Sequence, residues 1–519
     1  MSIARNIATV GSATLLSRLL GFLRDVGIAA ILGAGALSDA YFAALQIPNL
    51  FRRLLAEGAL NSAFVPMWLR IENESGPRGS RRFAEEALGM MLLTLGTFTL
   101  LCVVFAPAVV NLLAPGFRHS GERFPWAVDF VRISAPYIAV AGLVAVAASV
   151  LNAKGRVGAA SFGLVIFNGV FLIAVGVVLL LGMGPTAASG RILSIAIGLA
   201  GVGQFILVGG AMLRLPGPLF RPRFVPSSET RRFFALAIPG VIAGGIPQLK
   251  LMAGAMVASS SQAAVSWLYY ANRLYELPLG VVSIAIASVM VPLIAASVRA
   301  GEAQAVAAAQ SRAFEIALGL ALPAAAAFAI LAEPIAGGLF QRGAFGPRDT
   351  AAVSAALSAI CAGLPGHVLE KVLGAVSFAH EDTRTPMYAA LCGLATATAV
   401  AFALFPTYGH VGVAAAIAIS GWVGALILTT ILVRRRWLRI DRDARWRLPL
   451  IILATIVMGL VIHFAQGLLA SLWDVTGTAT ARILTLAFLV ALGLATYGVI
   501  LHLTKAVLLR ELIQSFARL

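Results

Sequence analysis

An all-α polytopic membrane protein with about 14 transmembrane helices is predicted by three observations. Of 519 residues, 60% are hydrophobic and only 12% charged, against roughly 25% charged in an ordinary water-soluble domain. Mean hydropathy is +0.93. Apolar runs of about 20 residues or more recur from end to end, the length a helix needs to cross roughly 30 Å of hydrocarbon. Such runs are helical because lipid offers no partner to backbone N–H and C=O groups.

In chain order, the first run covers 3–33. It follows a single basic residue, Arg5, and is too long for a signal-peptide core, so it reads as a retained span. The next run, 36–69, starts after Gly33-Ala34-Gly35 and carries Pro48; 83–113, 125–153, 160–182 and 190–214 complete a first group of six. The longest polar connection, 215–230, holds Pro216, Pro218, Pro222 and Pro226 and reads as a linker between a first lobe, 1–214, and a second, 231–436. The second group comprises 231–260, 264–298, 305–339, 350–379, 385–405 and 411–433, with Glu333-Pro334 and Gly343 interrupting the pattern. Runs 447–469 and 480–504 remain as a C-terminal pair within 437–519, and the tail from Lys505 to Leu519 reads either as an interfacial helix or as a continuation of the last span. Two groups of six suggest structural repeats, an arrangement that in transporters places the site between the halves.

Charge limits the function classes. The net charge of +17 invites a nucleic-acid reading, yet Lys and Arg lie mostly between spans rather than on one soluble face. Seven arginines crowd between Arg434 and Arg447. With both termini in the cytoplasm this cluster and most other basic residues face inward, as the positive-inside rule requires. Cys102, Cys361 and Cys392 sit in apolar runs without CxxC spacing, so neither a disulfide framework nor a zinc site is expected and all three read as small core residues. There is no GxxxxGK[ST] loop and no HExxH pair, and the six histidines are scattered. The chain therefore reads as a transporter rather than an enzyme, with no cofactor and no metal, drawing on an ion gradient, the membrane potential or the substrate's own gradient.

Charges inside the spans carry the functional reading, because each is expensive in lipid. Arg18 and Asp25, seven residues apart, share a helix face, whereas Arg24 points about 120° away from both at 100° per residue. On a regular helix Asp25 cannot face Arg24, which is thus left for a substrate, while Arg18 reads either as a structural cation paired with an acidic group or as part of the site. Arg53 and Glu57 stand at i and i+4 and read as an ion pair, while Arg52 is set opposite Ala56. Asp39 reads as a cavity counter-ion or as the N-terminal acid of its own helix. In the aromatic run Trp267-Leu268-Tyr269-Tyr270-Ala271-Asn272-Arg273-Leu274-Tyr275-Glu276, Arg273 and Glu276 are spaced to pair at i and i+3. Guanidinium stays charged when buried and offers a planar fork of donors to phosphate, so converging arginines would suit a diphosphate. A carrier of cationic drugs would instead need acidic groups in its spans.

The stretch Ser17-Arg18-Leu19-Leu20-Gly21-Phe22-Leu23-Arg24-Asp25, with Ser38-Asp39-Ala40, Pro48-Asn49-Leu50-Phe51-Arg52-Arg53, Ala56-Glu57-Gly58-Ala59, Ala63-Phe64-Val65-Pro66, Ala114-Pro115-Gly116-Phe117, Ser266-Trp267-Leu268-Tyr269-Tyr270-Ala271-Asn272-Arg273-Leu274 and Phe340-Gln341-Arg342-Gly343, closely resembles the MurJ (MviN) family of lipid II flippases over nearly the whole chain. The resemblance implies two six-helix lobes around a central cavity, as in multidrug and oligosaccharidyl-lipid exporters, plus a C-terminal helix pair. It implies a substrate too, the undecaprenyl-diphosphate-linked peptidoglycan precursor, carried by alternating access across the bacterial inner membrane. Membrane lipids and cell-wall synthesis proteins are the further partners it implies. In the family, the arginines matching Arg24, Arg52 and Arg273 bind the diphosphate, and the residues matching Arg18, Asp39 and Glu57 support the site or the gate. Two departures stand out. Gln46 replaces a Lys of some relatives, and 232–260 lacks the carboxylate some use for sodium. A flippase for another diphosphate-linked glycan, a drug or ion antiporter and a membrane scaffold are the alternatives left by the residues alone.

Overall fold

The computed structural model describes residues 3–56, 59–216, 220–286, 290–476 and 479–504, and the regular elements among them are all helices. Glu57, part of the linker and the tail from Lys505 lie outside the described residues. The chain divides into two compact units, Met1–Ser266 with Arg342–Phe345, and Trp267–Gln341 with Gly346–Leu519.

The first unit contains α1 (Ile3–Leu32), α2 (Ala36–Ala56), α3 (Ala59–Val104), α4 (Ala106–Leu113), α5 (Arg123–Ser134), α6 (Tyr137–Ala153), α7 (Val157–Leu180), α8 (Ala187–Leu213) and α9 (Ser228–Ala258). α1 packs on α7, α2 on α5 and α6, and α3 on α6 and α9. Side-chain caps start the helices that follow polar turns: Thr186 accepts from Ser189 N at 3.3 Å before α8, and Ser227 from Thr230 N at 3.4 Å before α9. α3 is two arms joined at Gly76, whose φ of 68° suits glycine. Residues eight apart on a straight helix are about 12 Å apart, yet a Cβ on Gly79 would lie 3.4 Å from the Ile71 side chain, so the chain reverses there.

The proline-rich connection is not suspended between helices. Arg223 N donates to Glu85 O at 2.9 Å and Arg223 Nε to Glu85 Oε2 at 2.7 Å, while Ser227 N and Thr230 Oγ1 donate to Glu86 Oε2 at 2.8 and 2.7 Å. This segment lies along α3, and Gly89 is what lets the Arg223 backbone approach so closely.

The second unit contains α10 (Ala264–Ala285, whose first turn belongs to the first unit), α11 (Val291–Ala300), α12 (Ala303–Ile330), α13 (Ala332–Phe340), α14 (Pro347–Cys361), α15 (Leu364–Ala379), α16 (Arg384–Arg434), α17 (Arg442–Thr476) and α18 (Ala479–Thr504). α15 packs on α16, α12 on α15 and α17, and α17 on α18. α16 also reverses at a glycine, Gly409 at φ 55°, as the gap between runs 385–405 and 411–433 anticipated. A Cβ on Gly412 would lie 2.8 Å from Leu404 O, so the two arms run back along each other. The segment leading into α17 is fastened to α12 by Gln310, which donates to Trp437 O at 2.9 Å and accepts from Arg439 N at 2.8 Å, and α17 itself by Arg447 on the buried Glu315, which also pairs with Arg312 of α12.

The apolar runs read from the sequence are largely helical where they are described, but 83–113 breaks at Phe105, 125–153 at 135–136, 305–339 at Leu331 and 350–379 at 362–363. Nine helical stretches among the described residues are long and apolar enough to cross a membrane; of these, Ala36–Val104 and Arg384–Arg434 contain the two reversals. Cys102 and Cys361 are buried, but Cys392 is exposed on α16, contrary to the core position expected. An apolar surface is no anomaly here, since lipid covers what water would expose.

Candidate functional site

α1 brings Arg24 into the first unit as a buried cation, 9% exposed, with Asp25 fully hidden beside it. Nε and Nη2 of Arg24 donate to Asp25 Oδ1 at 3.0 and 2.9 Å. This overturns the expectation that Asp25 cannot face Arg24. The helical-wheel angle describes Cβ directions, and the long Arg24 side chain bends back across it. Arg18 is exposed.

A residue the sequence reading missed completes this cluster. Arg24 Nη1 donates to Asn168 Oδ1 at 3.2 Å, and Asn168 Nδ2 donates to Ser17 O at 3.0 Å and Ser17 Oγ at 3.1 Å. Asn168 thus clamps α7 to α1 and aims the guanidinium, which also lies 5.2 Å from the Phe171 ring centroid. No local signal marks an Asn 144 residues away from its partner. Arg52 and Arg53 are half-buried on α2.

Asp39 lies in the first turn of α2, as one of its two readings has it, and does more than serve that helix. It is fully buried, and it accepts from Ala263 N at 2.7 Å, Ser266 N at 2.9 Å and Ser266 Oγ at 2.7 Å. Those amides open α10, so Asp39 also caps a helix more than 200 residues downstream. Arg123 lies 3.6 Å from the carboxylate and donates to Ser259 O and Ser261 O, both at 3.1 Å. Near the end of α1 a second loop is seated: Ala344 N donates to Ala30 O at 2.9 Å, where Gly343, at φ 58°, leaves room for the carbonyl.

In the second unit, Arg273 pairs with Glu276 at 3.3 Å, and Asn272 donates to the same carboxylate at 3.2 Å. Arg273 is 25% exposed at its side chain, so the pair stays open to a competing anion. Among the described residues no cluster of three His, Cys, Asp or Glu is placed to hold a metal ion.

The chain can now be set beside known proteins. A sequence profile described as "Lipid II flippase MurJ" matches residues 28–484. The "Probable lipid II flippase MurJ" of Rhizobium meliloti (strain 1021) is 39% identical over 503 residues, covering 96% of this chain and 93% of that protein. The "Lipid II flippase MurJ" of Burkholderia cenocepacia is 30% identical over 439 residues, covering 82% and 83%. A solved structure titled "Lipid II flippase MurJ, inward closed conformation" superposes with a TM-score of 0.78 at 24% identity over 97% of this chain and 99% of that one. An inward-facing MATE-family multidrug resistance transporter of the MOP superfamily gives 0.63 at 15% identity over 81% and 94%. With the profile spanning most of the chain and close relatives aligned nearly end to end, the chain belongs to the MurJ family of lipid II flippases.

Proposed function

We propose that this multi-pass membrane protein moves lipid II, the undecaprenyl-diphosphate-linked peptidoglycan precursor, from the inner to the outer leaflet of the bacterial inner membrane by alternating access, with both termini in the cytoplasm. The observation that carries the reading is a buried guanidinium inside a helix bundle, Arg24, held by Asp25 and Asn168. An intramembrane arginine aimed by a dedicated clamp is costly unless it handles an anion. Arg24, Arg52 and Arg273 hold the diphosphate. Asp25 and Glu276 keep Arg24 and Arg273 neutralised between cycles, and a diphosphate, with more charge and more acceptors, displaces them. Arg18, Arg53, Asp39 and Glu57 support the site or the gate, and the polyprenyl tail stays in the bilayer. The membrane potential supplies about 2.3 kcal/mol per charge per 100 mV to a charged carrier. Cell-wall synthesis proteins that consume the precursor are its natural neighbours.

The test makes this chain the sole flippase of a bacterium and measures precursor delivery to the outer leaflet, with Arg24, Arg52 and Arg273 replaced singly by Ala at matched protein levels. Loss of delivery in all three is expected. Normal delivery in all three would show the charges to be structural and overturn the assignment. Competition among lipids bearing different diphosphate-linked sugars separates lipid II from another glycan carrier.

A further inference from the structure

The second unit holds another set of ionisable groups that the diphosphate site does not use. His367, in the first turn of α15, places Nδ1 2.8 Å from Tyr275 Oη and 3.1 Å from Gly363 O. Tyr275 is 3% exposed, and His367 and Glu370, three residues apart on one helix face, are partly exposed. Glycines of α16 make room for both. A Cβ on Gly421 would lie 2.7 Å from His367 Nδ1, and one on Gly424 would lie 2.9 Å from the Glu370 carboxylate carbon.

The surrounding charges come from several elements. Glu276 follows Tyr275 directly on α10, and Glu370 lies one turn beyond His367 on α15. Arg273 on α10 pairs with Glu276, and Lys371 on α15 is exposed. On α16, Trp422 donates to Ala362 O at 2.9 Å, and the one ionisable group between Gly409 and Arg434 is His410, which is bonded to Ala352 O. On α12, Arg312 and Glu315 engage each other and Arg447; α11 contributes Arg299 in its last turn.

The imidazole has a partner in either protonation state. Without a proton, Nδ1 accepts from the Tyr275 hydroxyl; with one, Nδ1 donates to Gly363 O while the tyrosine oxygen turns its lone pairs toward the ring. Histidine is the side chain whose charge changes near neutral pH, and ionisable chains within spans mark proton relays in carriers.

We propose that Tyr275, His367 and Glu370 form a proton-binding site that takes up and releases one proton during the transport cycle. Hydronium gives its proton to Nδ1, an N–H bond forms as an O–H bond breaks, and water is left; Glu370 offsets the positive ring. Release is the reverse. This rests on the flippase reading, since the proton is coupled to headgroup movement.

The experiment uses the full chain in lipid nanodiscs in weakly buffered solution with a pH indicator, at several pH values around about 6.5. Lipid II is added, and both headgroup binding and protons exchanged are recorded. The wild type is expected to bind and to exchange about one proton per headgroup, while His367→Gln binds and exchanges none. Tyr275→Phe, which keeps the ring but removes the donor, shifts the pH of half-maximal exchange. Binding without exchange in the wild type, or undiminished exchange in His367→Gln, overturns the proton site and leaves the flippase reading standing. Should His367→Gln fail to fold, Tyr275→Phe decides, and an exchange unchanged in amount and pH overturns the proposal. Failure of the folded wild type to bind lipid II overturns the flippase reading and the coupling with it.

Discussion

Replacing Asp39 by Asn should destabilise the first unit by about 3–5 kcal/mol, the range for breaking a buried ion pair. The carboxylate divides its work between two oxygens, Oδ1 taking Ser266 N and Oγ and Oδ2 taking Ala263 N with Arg123 at 3.6 Å. An amide has one acceptor oxygen. If it serves Ser266, its NH2 faces the Ala263 N–H, forfeiting a charge-assisted hydrogen bond worth about 1.5–3 kcal/mol. Arg123, 7% exposed, also loses its counter-charge. These losses overlap, so the ion-pair range bounds the total. The assay is unfolding of the purified protein in mixed micelles by a titrated denaturing detergent, with Arg123→Leu and the double variant closing a thermodynamic cycle. The double variant should recover about 1–3 kcal/mol relative to additivity. A loss below about 1 kcal/mol for Asp39→Asn, or an additive cycle, would refute the claim that this carboxylate organises the start of α10.

Asn168→Leu should leave the fold intact but weaken headgroup binding about 5- to 30-fold, the equivalent of one or two hydrogen bonds that position Arg24; titration calorimetry with lipid II checks this, and Arg52→Ala gives the comparison for a direct contact. Glu315→Gln leaves Arg312 and Arg447 facing a neutral group and should loosen α17 from α12, read as faster trypsin cleavage at Arg439 and Arg442. Asp382 sits in the turn before α16. Burial pushes its carboxyl up, but hydrogen bonds from Thr385, Arg435 and Arg384 N outweigh that and lower it to about 2. A depressed carboxylate stabilises above its unfolded value of 3.8, and the stability is lost as pH falls from there through about 2. The loss, about 1 kcal/mol once solvent screening is allowed for, should vanish in Asp382→Asn when melting is followed across that range.

Helices were legible because in lipid the backbone must satisfy itself, so apolar length dictates helix, whereas breaks such as those at Phe105 and Leu331 fall inside apolar runs and left no mark. The reversal at Gly409 showed as a polar gap, and the pairing of Arg273 with Glu276 followed from i, i+3 spacing, a property of one helix. Long-range partnerships did not show. Arg24 with Asn168, Asp39 with Ala263 and Ser266, and Gln310 with the chain around Trp437 join residues more than 120 positions apart. No periodicity encodes which helices become neighbours. Even Arg24 with Asp25 was misjudged, since backbone angles say where a Cβ points and not where a flexible guanidinium comes to rest. Composition and periodicity thus determined that the chain is a bundle of membrane helices carrying buried cations. Which group each charge meets was decided by tertiary packing, because the desolvation of a charge is relieved by whatever donor or acceptor the fold places within about 3 Å.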